Sequence, residues 1–102
     1  LIGGCAKPLP PLSAETKHEL SAVLNPDFTL ESVSQERRED LYHILAVFRD
    51  SMEPDELVRS VEFTSSTEAI LSFSDTGMHN GGSMELHRKS GGWQIELKVY
   101  HI

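Results

Sequence analysis

The apolar positions of this chain change period once. In the first half they recur at helical spacing. Leu20, Val23 and Leu24 share one face of residues 12–24, which predicts a first helix. Thr16 with Glu19 fits a capping box, Ser13 is an alternative cap, and Asn25-Pro26 supplies the stop. Phe28, Leu30 and Val33 then fall in a short connection. Leu41, Ile44, Leu45, Phe48 and Met52 form a longer stripe, which predicts a helix over residues 35–52 with Ser32 and Gln35 as its capping box. Pro54 closes that helix and suits the first position of a short helical turn over residues 54–59.

From residue 60 the period is two. Val61 and Phe63 alternate with polar residues; so do Ala69, Leu71 and Phe73, then Met84 and Leu86, then Trp93, Ile95, Leu97 and Val99. These are four strands with one apolar face each. Glycine- and serine-rich turns separate them, at residues 65–66, 76–82 and 90–92. Clean alternation marks an antiparallel sheet with one wet side. The expected fold class is therefore α+β: N-terminal helices packed on one face of a four-stranded antiparallel meander sheet. Residues 12–102 form one such domain, and residues 1–11 precede it as an anchor or tether.

Helices followed by an antiparallel meander, with Gly91-Gly92-Trp93-Gln94-Ile95 near the end, resemble the cystatin-like cone fold of the nuclear transport factor two superfamily. That resemblance implies a curved sheet. It implies no single activity, because the fold hosts enzymes, binding domains and assembly modules alike.

Composition and charge remove several classes of partner. The chain has 102 residues and a formal net charge of −7. Nucleic acid is excluded as a partner, because its binding rests on neutralising phosphates with Lys and Arg. Adhesion to anionic lipid through charge alone is disfavoured for the same reason. The single cysteine excludes an internal disulfide and a multi-cysteine zinc site.

That cysteine opens a second line. Ile2-Gly3-Gly4-Cys5 resembles the lipobox of bacterial lipoproteins. The resemblance implies cleavage just before Cys5, lipid attachment at its thiol, and residence in the bacterial cell envelope or periplasm. Lys7-Pro8-Leu9-Pro10-Pro11 favours extended backbone and suits a spacer between an anchor and a folded body. A plain N-terminal tail fits these residues equally.

No catalytic or metal-binding constellation emerges from the spacing. No two of the five histidines stand at the i, i+4 interval of a helical zinc pair. There is no Gly-x-Ser-x-Gly elbow, and the glycines lie between strands, where no helix N-terminus cradles a phosphate. No cofactor is implied. His101 continues the parity of Trp93 to Val99, which would set it at the mouth of the concave face as a candidate ligand-pocket residue. Ile70, Tyr100 and Ile102 are apolar where the period calls for polar residues. They are the candidate patch for a protein partner or for self-association. The expectation is thus a non-catalytic exported or lipid-anchored domain acting through protein contacts. A small-ligand or enzymatic domain with a pocket near His101, and a cytosolic interaction domain, are the alternatives.

Overall fold

The computed structural model describes residues 9–28, 33–75 and 81–101. Two helices pack on one face of a four-stranded antiparallel sheet whose strand order is the chain order. Helix α1 spans Ala14–Leu20 and ends in a tight 3-10 turn, Ser21–Val23. Its cap is Ser13, whose Oγ accepts from the Thr16 N–H at 3.1 Å; Thr16 lies inside the first turn. A second 3-10 turn, Gln35–Arg37, leads into α2, Arg38–Ser51. The expected cap Ser32 lies outside the described residues, and Arg37 at the cap position makes no side-chain cap bond. Glu39 and Asp40 in the first turn instead complement the positive end of the helix.

The helical stripe is as the spacing predicts. Leu41, Ile44, Leu45 and Phe48 are buried, and Met52 packs at the margin. From the sheet, Val58, Leu71, Phe73, Met84 and Leu86 meet them in one core, joined by Leu20 and Val23. Burying each such side chain stabilises the fold by roughly 1.5–3 kcal/mol.

The expected helical turn after Pro54 is not formed. Pro54 and Asp55 make a turn, and strand β1 starts at once, Glu56–Phe63. Pairing with β2, Glu68–Asp75, outweighs a helical turn that has only Pro54 to start it. Strands β3, Gly82–Lys89, and β4, Gly92–Tyr100, complete the sheet.

Two irregularities change which side chains face the core. In β1, Val58 pairs with Phe73 and Ser60 with Ser72, so Arg59 is an inserted residue. In β4, Leu97 pairs with Glu85 and Ile95 with Leu86, so Glu96 is inserted. An extra residue in one strand reverses the facing of everything beyond it. Trp93 and Ile95 therefore face the core, as their alternation predicts. Leu97 and Val99 do not: they are 49% and 41% exposed. Lys98 and Tyr100 turn inward in their place, which corrects the expectation that the whole run from Trp93 to Val99 packs inside.

Candidate functional site

The sheet's second face carries no helix among the described residues, and its side chains fall in cross-strand rows. One row runs Glu62, Ile70, Glu85, Leu97 across all four strands. The next runs Ser60, Ser72, Ser83, Val99. A third joins Glu68, His87 and Gln94. The large apolar side chains exposed among the described residues are Ile70, Leu97 and Val99, and all three lie on this face.

Beside Ile70 the surface is shallow and acidic. An open depression of about 520 Å³ is lined by Thr64, Glu68, Ile70, Glu85, His87 and Glu96, among others. His87 Nδ1 lies 3.7 Å from Glu68 Oε2, and Lys89 Nζ lies 3.5 Å from Glu96 Oε1. Glu62 and Glu85 have no cationic partner among the described residues.

The predicted patch is therefore redistributed. Ile70 is on the outer face, as its break from the period indicates. Tyr100 is on the opposite side: its ring packs edge-on against Phe73 with centroids 5.6 Å apart. Ile102 and Cys5 lie outside the described residues. Leu97 and Val99 take their places beside Ile70. No sequence signal points to this exchange. Such a signal would have to break the period of two before Val99, yet Trp93, Ile95, Leu97 and Val99 keep one parity as a string of letters, so the register alone reveals it.

The same reversal moves His101. It is exposed and lies on the outer side, not at a core-side mouth. It lines a second shallow depression with Arg59, Ser60, Ser72 and Gly82, and its N–H donates to the Gly81 carbonyl at 2.7 Å.

On the core side, one polar cluster is built from both edge strands. Glu56 of β1 is fully buried, and its Oε1 accepts from Lys98 Nζ of β4 at 3.1 Å and from the Glu53 N–H at 3.0 Å. Lys98 also lies over the rings of Phe73 and Tyr100, 5.2 and 5.0 Å from their centroids, and 3.5 Å from the Ser51 carbonyl that ends α2. Burial of Lys98 pushes its pKa down, but hydrogen bonds with Tyr100 and Glu56 and the charge of Glu56 outweigh it and hold the ammonium above the ordinary lysine value. The carboxyl group is fully buried: Oε1 is bound to its cation, and Oε2 has no hydrogen-bond partner among the described residues.

Among the described residues, no three His, Cys, Asp or Glu side chains converge on a point that would hold a metal ion. Compared with known proteins, the chain matches no family model, no curated protein and no solved structure. The lipobox and cone-fold resemblances therefore rest on the sequence and the element order alone.

Proposed function

We propose that this domain is non-catalytic and acts through protein–protein contacts made by the outer face of its sheet. The observation that carries the reading is the gathering of Ile70, Leu97 and Val99 on one helix-free face among the described residues. Apolar side chains clustered on an exposed surface mark contact sites more often than scattered ones do. The core face favours this reading over a ligand pocket, because Leu71, Phe73 and Met84 beneath α2 are almost completely buried.

Site-specific photocrosslinking in the producing cell tests it. A photoreactive residue at Leu97 or Val99 is expected to give protein adducts that are absent when the same group replaces Glu15 on the exposed side of α1. Equal adduct patterns at the two faces overturn the reading.

Export and lipid anchoring are part of the proposal and rest on Ile2-Gly3-Gly4-Cys5 and the proline-rich segment after it. Labelled fatty acid fed to a bacterium expressing the full precursor is expected to mark the wild type and not Cys5→Ser. Equal label in both overturns the anchor without touching the contact surface.

A further inference from the structure

We infer that the outer face takes a basic amphipathic peptide segment of a partner protein, an inference that rests on the contact-surface reading. The row Glu62, Ile70, Glu85, Leu97 alternates carboxylate and apolar side chain over four neighbouring strands. Adjacent strands stand about 4.8 Å apart. Ile70 and Leu97, two strands apart, are thus separated by about 10 Å with a carboxylate between them. A helix advances about 5.4 Å per turn, so leucines two turns apart on one stripe, with lysines on the turn between, match that spacing approximately.

Charge decides among the possible occupants. Glu62 and Glu85 are exposed and have no cationic partner among the described residues. A purely apolar partner would bury both carboxylates unpaired, at a high cost. A second copy of this chain carries the same net charge of −7 and would set carboxylates against carboxylates. An anionic membrane has the same fault. A segment bearing Lys or Arg between leucines pairs with Glu62 and Glu85 while drying Ile70 and Leu97. The acidic chain also draws such a segment in from a distance.

The test uses a helical peptide of alternating Leu and Lys stripes as probe, with calorimetric titration at low and moderate salt. Two control peptides replace every Lys by Glu, or every Leu by Ser. Only the Leu/Lys peptide is expected to bind, and more weakly as salt rises. Glu62→Gln with Glu85→Gln is expected to weaken binding about fivefold. Leu97→Ser is expected to weaken it also. Glu15→Gln with Glu36→Gln, on the helical side, is expected to leave it unchanged. If the helical-side pair weakens binding as much as the outer-face pair, the attraction is diffuse charge and the inference fails. If the peptide does not bind but wild type self-associates in sedimentation and Leu97→Ser abolishes this, the face takes a second copy. The inference then fails while the contact-surface reading stands. If neither the peptide, self-association nor the crosslinks depend on Leu97 and Val99, both fail.

Discussion

Lys98 and Glu56 sit on opposite edge strands of the sheet, yet Nζ and Oε1 meet at 3.1 Å across its core face. The two side chains reach over the middle strands beneath the end of α2. At the other end of the same strands, the Phe63 and Trp93 rings meet with centroids 6.0 Å apart. Edge strands that share no backbone hydrogen bond are thus tied at both ends through side chains.

Removing one member of the buried pair is expected to be costly, because it strands the other. Lys98→Ala leaves the fully buried Glu56 carboxylate without its cation and is expected to destabilise by about 3 kcal/mol in urea unfolding. Replacing both, as Glu56→Leu with Lys98→Met, is expected to recover most of that loss. If Lys98→Ala costs no more than Gln94→Ala on the same strand, the pair contributes nothing.

The same pair predicts the alkaline limb of stability. The Lys98 pKa is higher folded than its ordinary value of 10.5. Its contribution is therefore fully present below that value and is lost as pH rises through the folded pKa. The urea midpoint of wild type minus that of Lys98→Met is expected to be constant from neutral pH to about 10 and to shrink above it. A difference that grows with pH would reverse the assignment.

Exposure of Leu97 separates the two possible registers of β4. Leu97→Ala is expected to cost less than about 1 kcal/mol, as for a surface substitution, whereas Leu71→Ala costs about 2–5 kcal/mol. Equal losses would mean that Glu96 is not inserted and that the strand keeps one parity throughout.

The start of β3 admits no side chain. Gly81 has φ +98, and a Cβ there would stand 2.2 Å from the Phe73 carbonyl oxygen. A Cβ on Gly82 would stand 2.0 Å from the Val99 carbonyl oxygen. Gly81→Ala and Gly82→Ala are each expected to cost more than about 1 kcal/mol in thermal unfolding. Gly91, whose added Cβ would meet nothing within 4 Å, is expected to tolerate alanine within about 0.5 kcal/mol.

Much of the architecture was already written in the apolar spacing. The stripe from Leu41 to Phe48 specified α2 and its buried face, and the later period of two specified four antiparallel strands in meander order. Both are local patterns, carried by residues a few positions apart, so a linear reading captures them. The outlying Ile70 was legible for the same reason. The helical turn expected at Pro54 gives way to β1, because a single proline marks the end of one helix more reliably than the type of the next element.

The direction of each side chain in the second half of β4 belonged to the tertiary structure. No residue type announces the insertion at Glu96, and the alternation from Trp93 to Val99 looks uninterrupted as a string of letters. The surface that this half-strand must cover decides it. There the core side presents the end of α2, with the Ser51 carbonyl, and the buried Glu56. A leucine would donate to neither, whereas Lys98 donates to the Ser51 carbonyl and to Glu56 Oε1 and lays its stem along the apolar wall. Once Lys98 turns inward, Tyr100 packs onto Phe73, and Leu97 and Val99 must face outward beside Ile70. The candidate contact surface therefore exists because of a carboxylate about forty positions away in the chain, a coupling that no local period contains.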